Sequence, residues 1–510
     1  MDDDSELVEL VRRTLAETTR REFDERVETQ AARLRERIES GAFDNRDFAV
    51  GLELEAYVTD RQGRLANAPE RLFEIDGCAG ELGRHNVEVN TPPNVLDGMG
   101  LDSQLRALRD RVDAAHETTR AEERTLVLDA MWTIPPEEGT TAYLSATEEH
   151  DGVRIAANMK PAVRYYALDN AILGERGGTV DVDLPGASGS FPSILVESLT
   201  SSMQPHVQIP SAERFPAHYN AAIRTMGPVL ALATNSPFAP ADRYPDCDGE
   251  EARALVERTY HELRIPVFEG SINVADEGKV RFPGDVASAA DVVDRIAADR
   301  TQAPFLREWA EESDDAYMDR FAEFEHKRST YWRWLRGVVG GRPIDADNDE
   351  RSLRIEYRPL PTQPSVEDTV RLQALTAGLI RGLVATDHPL AELGWEATKA
   401  GFYDVVREGL DAELVWLTAD GERTRDPETV YEELFELARA GLRESGVPEE
   451  RVERHLDPVE RRFEERTTPS RWKKARVRER IDDGATLPEA IRGMQREYME
   501  RAGRPFEEWG

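Results

Sequence analysis

Ten residues near the start of the chain, F-A-V-G-L-E-L-E-A-Y at 48–57, alternate strictly enough to constrain the fold more than any other stretch. In an extended strand successive side chains point to opposite faces. Val50, Leu52, Leu54 and Ala56 would then line one face, and Gly51, Glu53, Glu55 and Tyr57 the other. At ~3.3 Å per residue the two carboxylates stand roughly 7 Å apart on a rigid support, close enough to repel unless a cation sits near them. Taken alone, a half-exposed antiparallel strand with an acidic solvent face is the plainer reading.

The pattern recurs three times. N-V-E-V-N at 86–90 sets Val87 and Val89 against Asn86, Glu88 and Asn90. P-H-V-Q-I-P at 205–210 sets Val207 and Ile209 against His206 and Gln208, and S-L-R-I-E-Y-R at 352–358 sets Leu353, Ile355 and Tyr357 against Ser352, Arg354, Glu356 and Arg358. Apolar residues at three-to-four spacing predict helices over 101–128, 211–233 and 365–385, the last opened by Ser365 and Asp368 spaced as a capping box. One sheet with a helix-covered apolar side and a wet functional side accounts for all four strands. Three carboxylates on one concave face raise one another's pKa unless metal neutralises them, and Mg²⁺ prefers such oxygen ligands together with substrate phosphates. Arg354 and Arg358 beside them offer planar forks to phosphate, although cross-strand ion pairing would explain them too. This is the equipment of an ATP-using enzyme without a P-loop: the glycine-rich pieces at 174–178 and 186–190 lack the Lys-Ser/Thr that a P-loop needs.

Composition narrows the partners. Lys plus Arg is 65 against 100 for Asp plus Glu, a net charge of −35, which argues against nucleic acid or anionic membrane. Lysine is confined to Lys160, Lys279, Lys327, Lys399, Lys473 and Lys474, so the surface reads as one adapted to high salt. Cys78 and Cys247 make no disulfide framework, and the M-D-D-D start lacks an export signal. No apolar run approaches the ~20 residues of a membrane span, so a cytoplasmic protein is expected.

Helix is also predicted over 5–40, and residues 240–340 read as a partly helical lobe over the site, with Tyr331, Trp332 and Trp334 as core. The last stretch is mostly amphipathic helix, and its basic run at 471–480 reads as a salt-bridged helix. The expected division is a helical segment 1–45, a catalytic domain 46–410 and a helical extension 411–510.

Five motifs in order, G-L-E-L-E at 51–55, V-E-V-N-T-P-P at 87–93, H-V-Q-I at 206–209, N-S-P-F at 235–238 and E-Y-R-P-L-P-T-Q-P at 356–364, resemble the glutamate-cysteine ligase family, carboxylate-amine ligases related to glutamine synthetase. The resemblance implies an α+β fold, a glutamine synthetase-like antiparallel β-sheet funnel covered by helices, with ATP and two or more Mg²⁺ ions at one end and an amino acid at the other. It implies Glu53, Glu55, Glu88, His206 and Glu356 as the metal set. Arg358 would meet the transferred phosphate with Arg354 assisting and Glu55 beside them, and Arg358, Gln208 and Asn235 would contact the nucleotide. Gln208 stands where many relatives carry a second histidine, which leaves the fine metal geometry open. The implied substrates are small molecules, glutamate and an amine such as cysteine. A different amine, a non-catalytic nucleotide- or amino-acid-binding regulator of the same fold, and a homo-oligomer all stay open.

Overall fold

The alternating stretches all become neighbours in one sheet. A computed structural model describes residues 3–274, 278–310, 315–341, 344 and 351–509. Its main sheet contains β1 (Ala49–Thr59), β2 (Cys78–Gly80), β3 (Asn86–Asn90), β4 (Asn94–Val95), β5 (Thr125–Val127), β6 (Met203–Ile209), β7 (Leu335–Gly341) and β8 (Ser352–Tyr357). The spatial order is β7-β8-β6-β1-β3-β2, with β4 and β5 also on β1, and every pair is antiparallel.

Register decides which side chains meet. Val50 lies opposite Val207, Leu54 opposite Val89 and Ile355 opposite Val207, so the apolar sets share one face, and all of these residues are buried. Helices Gly98–Ala121 and Val366–Ala385 pack on that face, and helix Phe215–Ala233 packs against Val366–Ala385. Burying this much aliphatic surface is the main stabilising term, at ~25 cal/mol per Å².

Helix boundaries shift where local chemistry intervenes. The helix expected over 101–128 stops at Ala121 because Glu123 takes a left-handed φ of 59° and the Arg124 N–H returns to the Thr119 carbonyl, a Schellman-like stop that frees 125–127 to become β5. The helix expected over 5–40 is two, Asp3–Thr14 and Glu17–Glu39, parted at an extended Ala16. At Ser365 the hydroxyl accepts the Asp368 N–H and donates to the Asp368 carboxylate, so the N-cap forms, but the carboxylate takes the hydroxyl rather than the Ser365 backbone N–H that a full capping box requires. The segment 240–340 ends within the sheet rather than over it, since β7 is its edge strand.

The C-terminal helices are built into this body. Helices Val366–Ala385 and Pro427–Glu444 touch backbone to backbone: a Cβ on Gly441 would collide with the Gly378 carbonyl, and one on Gly382 with that of Leu437. Asp368 accepts from Arg462, and Asp129 accepts from Lys473 and Gln495, all of them buried. The basic run lies on helix Pro469–Asp482. Its outer arginines pair with Asp411, Glu257 and Glu497, while Lys474 donates to the Thr259 carbonyl. Four of the chain's lysines, Lys279, Lys327, Lys473 and Lys474, are buried.

Candidate active site

The polar faces of the four patterned strands converge. Across β1 and β3, Glu55 lies opposite Glu88 and Glu53 opposite Asn90; across β6 and β8, His206 lies opposite Glu356 and Gln208 opposite Arg354. The face is enclosed rather than wet, for His206 is 8% exposed and Glu356 1%. Arg164, Phe268, Arg328 and Trp332 come across it and close a cavity of about 300 Å³ that Glu53, Glu55, Glu88, Glu356, Arg354 and Arg358 also line.

Ligand atoms of Glu53, His206 and Glu356 lie within 4.8 Å of one another. His206 Nε2 is buried and has no hydrogen-bond partner, and it stands 3.4 Å from Glu53 Oε1. Burial lowers the imidazole pKa to about 4, so its nitrogen lone pair is free at neutral pH. A buried ring nitrogen with no hydrogen-bond partner, set beside two carboxylates, is costly without a cation, and the set of one nitrogen and carboxylate oxygens suits a divalent ion. On this observation the residues fit a metal.

A second acidic group adjoins the first. Glu81 and Glu197 join Glu55 and Glu88 on the cavity wall. Burial first, then Glu81, pushes the Glu55 carboxyl up to about 7; burial, then Glu55, pushes Glu197 up to about 8. Glu88 is raised by burial and by Glu53. These carboxylates have too few cations beside them, whereas Glu356 has several. Arg336 Nε donates to Glu356 Oε2 at 2.6 Å, and Arg328, Arg354 and Arg358 stand 3.5–3.7 Å from its oxygens. Despite the cost of burial, Arg336 and its neighbours hold Glu356 well below the usual carboxylate range.

Arg358 Nη1 donates to Gln204 Oε1 at 2.5 Å, and Arg354 keeps a buried Nε with no partner. Beneath them, Arg264 donates to the carbonyls of Arg358 and Pro359 and fixes the turn that leaves β8.

Two expected residues are elsewhere. The Gln208 amide donates to the Asp47 carbonyl and does not reach the cavity. Asn235 is fully buried: its side-chain amide donates to the Thr362 carbonyl and the Tyr498 hydroxyl, and its backbone carbonyl accepts from Lys473. It fastens the C-terminal helices to the turn that follows β8, and no residue of its motif lines the cavity. Sequence reasoning missed Gln204, which begins the polar face of β6 one residue before the stretch singled out, and Arg336, hidden in the glycine-broken L-R-G-V-V-G-G of β7. Glu81 and Glu197 belong to a loop and a short 3₁₀ segment, where no periodicity announces them.

Among solved structures, the chain is similar in fold to a bifunctional glutathione synthetase from Pasteurella multocida, at 14% identity and a TM-score of 0.50, covering 89% of this chain and 52% of that chain, so that it spans about half of that protein. A glutamate–cysteine ligase from Francisella tularensis, solved in complex with AMP, matches over 92% of this chain and 91% of that chain at 15% identity and a TM-score of 0.49. No curated protein matches the sequence. The family model described as glutamate-cysteine ligase family 2 (GCS2) matches residues 49–504, from the first residue of β1 through the last helices. With so much of its length matched, the chain belongs to glutamate-cysteine ligase family 2 and is a carboxylate–amine ligase, an enzyme that forms C–N bonds.

Proposed function

We propose that the enzyme uses ATP and Mg²⁺ to join the γ-carboxylate of glutamate to the amino group of cysteine. The observation that carries this reading is the buried, unpartnered His206 Nε2 held between Glu53 and Glu356, with Arg354 and Arg358 alongside. A carboxylate is a poor electrophile, so its oxygen first attacks the terminal phosphorus of ATP, breaking the bond to ADP and giving an acyl phosphate; the amine nitrogen then attacks the acyl carbon, expels phosphate and gives up a proton. Arg358 and Arg354 present guanidiniums to the migrating phosphoryl group, where fixed positive charge in a water-poor cavity is worth most. Glu53, His206 and Glu356 would hold one cation, and Glu55 and Glu88 a second. Bound there, Mg²⁺ supplies neutralisation of the phosphate charge. Trp332 and Phe268 exclude water from the acyl phosphate.

The reading carries with it a cytoplasmic setting, to which the two free cysteines are suited, and a working medium rich in salt, to which the acidic, lysine-poor composition is suited. No helix among the described residues is long and apolar enough to cross a membrane. The test is phosphate release from ATP by the purified chain in molar KCl with Mg²⁺, glutamate and a panel of amines, with products identified by mass. Cysteine-dependent formation of a γ-glutamyl product supports the reading. Turnover only with another amine replaces the acceptor, and ATP binding without turnover under any amine removes the reaction.

A further inference from the structure

Behind the wall of the carboxylate cavity is a larger hollow of about 1000 Å³, lined by none of the residues given a role above. Trp334 separates the two: it lines the first cavity, and its indole N–H donates at 2.8 Å to Glu269, which lines the second. Tyr403 donates to the same Glu269 oxygen at 2.7 Å.

The charge in the hollow runs against that of the chain. Arg281, Arg295 and Lys399 line it, and among the described residues none of the three is within salt-bridge distance of a carboxylate, although Lys399 acts on Glu269 across the hollow. Arg295 donates only to the backbone carbonyls of Gly284 and Asp285, and the Lys399 ammonium stands 5.0 Å from the Trp395 ring centroid. Asp299, on the same wall, is shared by Lys279 and Arg333, two cations for one carboxylate. Where acidic residues outnumber basic ones 100 to 65, three unpaired cations around one hollow make a local positive field that attracts and holds anions. Tyr403 and Trp395 add aromatic surface, so the walls suit an organic molecule as well as its charges.

We infer that this hollow, walled by Arg281, Arg295 and Lys399 across Trp334 from the carboxylate cavity, is a second binding site, for a small organic molecule bearing phosphate or several carboxylates. Each charge-assisted contact to such an anion is stronger than a neutral hydrogen bond, and Arg adds a planar fork. Because Trp334 and Glu269 form the common wall, the occupant sits one side chain away from the reacting groups.

The test is equilibrium dialysis of the full chain in KCl, with protein and buffer freed of divalent cations beforehand on a chelating resin, using inorganic pyrophosphate and citrate as probes. An Arg281→Gln/Lys399→Gln double variant, which removes an exposed and a half-buried side chain outside the core, should weaken binding at least about tenfold while its unfolding midpoint stays put. Arg358→Gln, in the carboxylate cavity, should leave the same binding within about twofold. Displacement of pyrophosphate by citrate assigns the site to multivalent anions in general, and failure of citrate to compete assigns it to phosphate. Undiminished binding in the double variant, or no binding of either probe to the wild-type chain, overturns the inference. So does displacement of the probe by AMP in the Arg358→Gln variant, since the hollow would then be the ligase's own nucleotide pocket.

Discussion

His206 Nε2 stands 3.4 Å from Glu53 Oε1 across the β1–β6 pair, buried and without a hydrogen-bond partner, with Glu356 completing the triangle. Burial keeps the ring neutral, and a neutral ring nitrogen lacking a proton is a ligand rather than half of an ion pair.

Replacing His206 by Leu should therefore separate cation binding from folding. Mn²⁺ affinity, measured by titration calorimetry, should fall about tenfold or more, because loss even of an outer partner to a metal ligand costs 10–100-fold. Stability without cation should change by less than about 1.5 kcal/mol, as a buried residue of similar volume replaces a nitrogen that bonds to nothing. Unaltered Mn²⁺ affinity would remove His206 from the cation site.

Between pH 6.5 and 8 the cation-free protein should lose stability relative to its Glu197→Gln variant as pH rises. Unfolded, the carboxyl of Glu197 ionises near 4.5; folded, it holds its proton to about 8. Glu55 likewise goes from 4.5 to about 7. In that window these carboxyls hold more proton in the folded chain than in the unfolded one, so their ionisation favours unfolding, by about 2 kcal/mol from Glu197 alone. Buried histidines such as His85, lowered from 6.5 to about 4, and buried lysines such as Lys279, lowered to about 8, act with the opposite sign within the window, but they do so in wild type and variant alike and drop out of the comparison. Urea unfolding at both pH values, with chelator and with Mg²⁺, checks the prediction: in chelator the wild type should lose about 2 kcal/mol relative to Glu197→Gln between the two pH values, and Mg²⁺ should remove that difference. A difference between wild type and variant that does not change with pH in chelator would contradict it.

Lys473→Met should unfold the C-terminal helices and the sheet together. The ammonium is shared by the Asp129 carboxylate and the Asn235 carbonyl, and removing one partner of a buried pair costs about 3–5 kcal/mol. Circular dichroism and tryptophan fluorescence should report one transition, shifted down equally. Two separated transitions would instead make residues after 410 an independent unit.

At Gly441, alanine raises helix propensity by up to about 1 kcal/mol yet must push its helix off the Gly378 carbonyl, an overpacking cost of about 1–3 kcal/mol or more. The clash wins because the obstacle is backbone and cannot rotate away. Gly441→Ala should lower the denaturation midpoint, and a rise would show that the two helices have room to part.

What was legible in the sequence was whatever alternates. Glu53, Glu55, Glu88, His206, Arg354 and Glu356 lie on strands whose opposite faces are built mainly of Val, Leu and Ile, and a period of two tells both where the core is and what points away from it. Residues that reach the cavity from elsewhere left no such trace. Glu197 rides a 3₁₀ turn, Arg264 and Arg328 come from helices of the lobe, and β7 carries three glycines that mask its period. Asn235 belongs to a motif of the family without belonging to the cavity, since a motif marks any position that the fold holds fixed, structural bolts included. The helix running to 128 was misjudged for a related reason, because a left-handed Glu123 is invisible to propensity.

Burial of Lys279, Lys327, Lys473 and Lys474 leaves Lys160 and Lys399 as the chain's reachable primary amines apart from the terminus. Amine-directed reagents, whether a fluorophore ester, a surface-coupling agent or a cross-linker, thus find two reachable lysine side chains among 510 residues. One of them, Lys399, sits on the rim of the large hollow, so a dye attached there reports from that hollow without a cysteine having to be engineered.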